Sequence, residues 1–223
     1  MFAGLTAAGK TTHAKLLASE LGYDYVSATE MLVKLAGVEP DPGQSIWSNQ
    51  EKYAYIQNLR SSRALDDELE QALLEMIRTC THTVFDTWAM AWLADVPTLR
   101  VWIESDRLSR TLKCLVSDRA RNIKISDAVQ IIDKKDSDTR NILLARHGFD
   151  IFKDFEDFDL VLSNTFLISE PTVEATKRGI ARFSPSVLKG IRYCMGWDCD
   201  SPASKWDRED HFLKLRRCRG ADK

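Results

Sequence analysis

Gly4-Leu5-Thr6-Ala7-Ala8-Gly9-Lys10-Thr11 fits the pattern G-x-x-x-x-G-K-[ST] at every position, and the residues that follow take a helical period. Thr11 to Leu21 places Ala14, Leu17, Ala18 and Leu21 on one stripe and stops at Gly22, a natural helix-ending glycine. Glycines let the chain curl with its N–H groups pointing inward, and a helix that starts there adds free amides and the positive end of its dipole. A polyphosphate tail needs that combination. Lys10 would reach the β and γ phosphoryl oxygens, and the Thr11 hydroxyl would ligate Mg²⁺. A plain glycine turn ahead of a helix is the blander reading of the same residues. A loop of this kind hangs from a strand, and Met1-Phe2-Ala3 is short for one. Either the strand is stunted, or the numbered chain begins inside a longer segment.

Outward from the loop, short β-branched or aromatic runs alternate with longer helical segments, the pattern of a parallel sheet covered on both faces. The fold class is α/β, doubly wound. Strands are expected at Met1–Ala3, Tyr23–Val26, Thr83–Asp86, Thr98–Ile103 and Asp159–Leu162. Leu65, Leu69, Leu73 and Met76 form a second helical stripe, and a third long helix is expected from Ser126, as its cap, to His147-Gly148. Pro40, Asp41, Pro42, Gly43 and Ser45 break any period, so the stretch from Val38 to Asn49 reads as a mobile connection. After Pro185 the regular pattern fades, and residues 185–223 read as an accessory tail.

The chain has 223 residues with 44% hydrophobic and 29% charged content, which excludes disorder and fibrous classes. Its 31 basic and 33 acidic residues nearly cancel, so no global attraction to nucleic acid or anionic lipid is expected and any anion site must be local. No apolar run approaches a membrane span and no secretory leader is seen, so the expected compartment is the cytoplasm. Cys80, Cys114, Cys194, Cys199 and Cys218 are odd in number and widely spaced, which favours free thiols. A zinc site from Cys194, Cys199, His211 and Cys218 fits no compact ligand spacing.

Phosphoryl transfer asks for metal, positive charge and exclusion of water. Asp86 ends the run Thr83-Val84-Phe85, which puts a carboxylate at the ligand-binding edge of a central strand, the natural place for a magnesium-associated acid; a helix-capping aspartate is the alternative. Residues 107–146 are rich in Arg and Lys, most of them expected on a solvated face. Arg60 and Arg63 follow the irregular connection and would meet an acceptor phosphate. His13 reads as a surface or capping side chain, His82 has no evident partner, and His147 would sit on its helix C-terminus.

Several strings in order resemble the cytidylate kinase-like group of nucleoside monophosphate kinases. They are Gly4 to Thr12, Val26-Ser27-Ala28-Thr29-Glu30, Asp67-Glu68-Leu69, Leu99-Arg100-Val101-Trp102-Ile103, Gly148-Phe149-Asp150 and Phe158 to Thr165. The resemblance spans about residues 1 to 165. It implies a P-loop kinase fold with a five-stranded parallel sheet, ATP as donor, Mg²⁺ as cofactor, and a kinase domain over 1–184 with an acceptor-binding region at about 27–80 and a lid at about 107–147. Carried over by position, Gly4, Gly9, Lys10, Thr11 and Thr12 hold the donor phosphates, with Lys10 also catalytic. Ser27 opens the acceptor-binding helix, and Asp86 is the acid after the third strand. Arg110 enters the lid and Arg140 returns from it, both as catalytic cations.

Two positions depart from the pattern. The group usually has an arginine six residues after the Ser27 position and another two after the Asp86 position; here they are Val33 and Trp88. Losing a guanidinium removes bidentate recognition of phosphate or a pyrimidine edge. Trp88, with Trp47 and Trp92, would stack on a flat acceptor or fill core. Three functions are therefore weighed: phosphoryl transfer from ATP to a nucleoside monophosphate or nucleotide-like acceptor, transfer to a small-metabolite hydroxyl, and nucleotide binding without turnover in a regulatory protein.

Overall fold

The computed structural model describes residues 1–39, 46, 49–117, 123–197 and 213–215. Five parallel strands, β1 (Phe2–Ala3), β2 (Asp24–Ser27), β3 (Thr83–Asp86), β4 (Val101–Glu104) and β5 (Leu160–Ser163), lie in the order β2-β3-β1-β4-β5. A short β6 (Leu213–Leu215) adds antiparallel to the β5 edge. β1 is two residues long but central, paired with β3 through Phe2 and Asp86 and with β4 through Phe2 and Val101. The chain order reverses at β1, so a crevice opens at the carboxyl ends of β1, β3 and β4, where open α/β sheets bind ligands.

The helices are α1 (Lys10–Leu21), α2 (Ala28–Leu35), α3 (Gln50–Ser61), α4 (Ala64–Thr79), α5 (Met90–Leu93), α6 (Arg107–Ser117), α7 (Ile125–His147) and α8 (Val173–Cys194). α1 buries His13, Ala14, Leu17 and Ala18 and ends at left-handed Gly22, where the Tyr23 amide returns to the Ala18 carbonyl at 2.8 Å. One face of the sheet packs on α2 and α4 through Leu32, Leu69, Leu73 and Phe85. The other packs on α1 and α8 through Phe2, Leu17, Ile103, Leu162 and Phe183. Both faces are closed, as parallel strands require.

Three expectations change, and one helix, α5, is new. Ile77 rather than Met76 completes the buried row of α4, because the stripe runs at four-residue steps from Leu65. α7 begins one residue before Ser126, and its first turn is closed by Asp127, whose carboxylate accepts the Lys124 N–H at 3.1 Å. α5 answers to no periodic signal. α8 runs unbroken through Pro185, and Val187 and Ile191 beyond it are buried against the sheet, so the 184/185 division falls inside a core helix. Of the irregular connection, Ile46 is buried and Asn49 caps α3 by accepting the Lys52 N–H at 3.2 Å; residues 40–45, 47 and 48 lie outside the described residues. Trp47, Cys199, His211 and Cys218 are likewise outside them.

Candidate phosphate-binding and acceptor site

The loop between β1 and α1 is shaped by its glycines and by the strand beside it. Gly4 has φ +151°, and a Cβ there would stand 2.5 Å from the Ile103 carbonyl oxygen of β4, so no larger residue fits. Gly9 sits at φ 98° immediately before α1. The Ala8 amide bonds the Leu5 carbonyl at 3.1 Å, and Lys10 Nζ donates to the same carbonyl at 3.1 Å, laying the ammonium across the loop. Burial holds the Lys10 pKa below its ordinary value, with Asp86 and Asp136 pulling the other way.

Beside the lysine, the Thr11 hydroxyl donates to Asp86 Oδ2 at 2.5 Å, and the Tyr25 hydroxyl donates to the same oxygen at 3.1 Å. β3 delivers Asp86, which is buried, to the first turn of α1. One hydroxyl and one carboxylate are hard oxygen donors of the kind Mg²⁺ prefers. No group of three or more His, Cys, Asp or Glu suited to a metal occurs among the described residues.

α6 and α7 grip the loop from outside. Asp136 of α7 accepts the Thr6 N–H at 2.8 Å and the Arg110 guanidinium at 2.5 Å, while Arg110 Nη1 also donates to the Thr6 carbonyl at 3.2 Å. Arg110 and Asp136 are both buried. On the far side, Lys113 Nζ bonds Ser105 Oγ at 2.9 Å and Asn164 Oδ1 at 2.5 Å, and Asn164 Nδ2 donates to the Ala8 carbonyl at 2.7 Å. Burial lowers the Lys113 pKa to about 7, Asp106 opposing and Arg110 adding to the fall. A cavity of about 490 Å³ joins these parts, with Lys10, Thr11, Thr12, Ser27, Asp86, Trp88 and Lys135 on its walls. A larger hollow, about 950 Å³, lies at the opposite ends of the strands around Met1, Thr83 and Leu99 and holds none of the loop's phosphate-facing residues.

At the other end, Ser27 caps α2 by accepting the Glu30 N–H at 3.2 Å. Arg60 Nε donates to Asp66 Oδ1 at 2.8 Å, both residues buried, and its guanidinium carbon lies 5.6 Å from the centre of the Trp88 ring. Val33 is a core residue of α2. Trp92 fills core: it stacks on Phe149 at 4.7 Å and donates its indole N–H to the Asp154 carbonyl at 2.6 Å. α7 is drawn onto this region. Tyr53 of α3 donates to Asp138 of α7, and Arg146 reaches Asp67 and Glu70 of α4, each at 2.7 Å.

The structure therefore gathers Gly4, Gly9, Lys10, Thr11, Thr12, Ser27, Asp86, Trp88 and Arg110 about one crevice, with Arg60 against its Trp88 wall. It does not bring in Arg140 or Arg63. Arg140 makes a two-pronged bond to Asp150, at 2.8 and 2.5 Å, and its guanidinium lies 5.4 Å from the Phe152 ring; the pairing holds Asp150 at a pKa of about 2. Lys135 faces the cavity instead, because five residues along a helix turn a side chain about 140° away. Arg63 is exposed at the start of α4, with a left-handed backbone.

Sequence reasoning passed over Asp136, Lys113, Lys135, Asn164 and Tyr25. All five lie in stretches already singled out, but nothing local separates them from their neighbours. His13 is buried, edge-on to Phe183 at 4.8 Å, and burial with help from Lys113 lowers its pKa to about 4. His147 bonds Glu70 at 3.0 Å, and His82 meets the Tyr23 ring edge-on.

Comparison with known sequences agrees with this geometry. The profile of the cytidylate kinase-like family matches residues 2–165. A cytidylate kinase from Sulfurisphaera tokodaii is 26% identical over 165 residues, 73% of this chain and 84% of that one. Among solved structures, an uncharacterized protein from Eubacterium ventriosum superposes with a TM-score of 0.45 at 14% identity, over 83% of this chain and 96% of that one, a likeness too slight to bear weight. With most of its length matched by one profile, from the loop at Gly4 to the turn after β5, the chain belongs to the cytidylate kinase-like family.

Proposed function

We propose that this protein transfers the γ-phosphoryl group of ATP to a nucleoside monophosphate. One observation carries the reading: the Thr11 hydroxyl and the Asp86 carboxylate meet beside Lys10, on a glycine-shaped loop at the start of α1. The phosphate oxygen of the acceptor attacks Pγ in line, the bond from Pγ to the β-phosphate oxygen breaks, and ADP leaves with that electron pair. Mg²⁺, which Thr11 and Asp86 would hold, would supply positive charge to offset that of the phosphates. Lys10 would swing from the Leu5 carbonyl to the β and γ oxygens. Arg110, which already donates to Thr6, stands at the lid side of the same phosphates.

The acceptor lies across the crevice, between the start of α2 and Trp88, against Ser27 and Arg60. The contacts from α7 to α3 and α4 close the lid over that space, which excludes water and protects ATP from wasteful hydrolysis. The relative named a cytidylate kinase puts CMP first among acceptors to try. Incubation with ATP, Mg²⁺ and each of CMP, dCMP, UMP, AMP and GMP, with ADP measured, tests the reading. Acceptor-dependent ADP formation is expected from the wild type and not from Lys10→Ala; equal rates from both would overturn it.

A further inference from the structure

This inference rests on the phosphoryl-transfer reading above and concerns its acceptor half. Neither Val33 nor Trp88 carries a charge, yet an acceptor phosphate near Ser27 brings up to two negative charges into a half-enclosed cavity. Uncompensated, that burial is costly. Arg60 is engaged by Asp66 behind the tryptophan. The cation that α7 turns toward the crevice is Lys135, on the same cavity wall as Lys10, Thr11, Ser27 and Trp88, its ammonium 5.9 Å from the centre of the Trp88 ring.

Its place on the cavity wall, over the Trp88 ring, puts this ammonium within the crevice an acceptor would enter. Burial is the main influence lowering its pKa, to about 7; Lys10 and Arg60 add to the fall, and Asp136 and Asp86 oppose it. Four charged groups from α1, α3, α7 and β3 thus face it, two of each sign, and they leave the ammonium less comfortable than in water. A phosphate between Lys135 and Lys10 reverses that balance. The indole ring supplies a resting face that costs no competing negative charge.

We propose that Lys135, resting on the Trp88 ring, binds the phosphate of the acceptor nucleotide. Lys135→Ala is expected to raise the acceptor KM about tenfold to a hundredfold, the loss of one charge-assisted bond, while the KM for ATP moves less than about threefold. Lys135→Arg restores most of the acceptor KM, and Lys135→Met, which keeps the apolar stem, does not. The melting temperature of each variant is measured alongside; if Lys135→Ala does not fold, the Arg and Met pair decides. An unchanged acceptor KM, an equal rise in both KM values, or identical Arg and Met variants would overturn the assignment. If the wild type phosphorylates no monophosphate, the reaction fails separately, and calorimetric titration with the same monophosphates decides this point. Binding by the wild type that Lys135→Met loses supports it; equal binding, or none to the wild type, sinks it.

Discussion

The two ends of the crevice are built from different materials. The proposed donor end is a backbone loop shaped by Gly4 and Gly9, with one lysine and a threonine hydroxyl on Asp86. The proposed acceptor end is side chain, with Ser27 from α2, Arg60 from α3, Trp88 after β3 and Lys135 from α7. Backbone geometry needs a few residue types at fixed spacing, so it is written in eight consecutive letters. Side-chain recognition draws one residue from each of several elements and permits substitution, as Val33 and Trp88 show.

If the contrast holds, the largest effect on turnover belongs to Lys10. Its replacement by alanine should lower kcat/KM by about 10² to 10³, as loss of a fixed charge at the transferring group does, with little change in melting temperature. A variant with near wild-type turnover would break the contrast at its donor end. Next comes Asp136, which holds Arg110 and Thr6 together. Asp136→Ala leaves a buried guanidinium uncompensated and should cost about 3–5 kcal/mol in urea unfolding. A loss below about 1 kcal/mol would mean that the lid does not brace the loop.

The pH dependence of stability is a smaller effect. The folded pKa of His13 is about 4 against 6.5, so between those values the unfolded chain holds a proton that the folded chain lacks. Stability attributable to this residue is complete above about pH 6.5 and falls as pH drops toward 4, by about 3 kcal/mol at most. Unfolding measured at pH 4.5 and 6.5 should show a smaller difference in His13→Leu than in wild type; an equal difference would remove the histidine from the account. Smallest of all is Arg140→Ala. Its bond to Asp150 is partly solvated, so stability should fall by about 1 kcal/mol or less and kcat by less than about threefold. A hundredfold drop in kcat would instead return Arg140 to the chemistry.

The same division explains what could be read from the chain beforehand. β3 falls where the run Thr83–Asp86 places it and the other parallel strands lie within a few residues of their runs, because a buried parallel strand is an uninterrupted apolar stretch. The loop and the Thr11–Asp86 pairing follow from motif and strand position. Which cation of α7 faces inward does not, since Lys134, Lys135 and Arg140 share one basic segment and only the docking of α7 on α3, α4 and the loop fixes its rotation. Burial of His13 is likewise set by α8, a helix far along the chain, through Phe183 and Ser184. Pro185 suggested an ending, but a helix packed along its length outlasts one missing donor.

α7 is one uninterrupted rod of 23 residues, about 35 Å long. Near its middle Asp136 is fastened to the phosphate loop, and near its far end Arg146 is fastened to α4. A stiff bar pinned at two points cannot yield at one without levering the other, so under the proposed reaction the release of ADP and of the phosphorylated acceptor would draw on a single mechanical element.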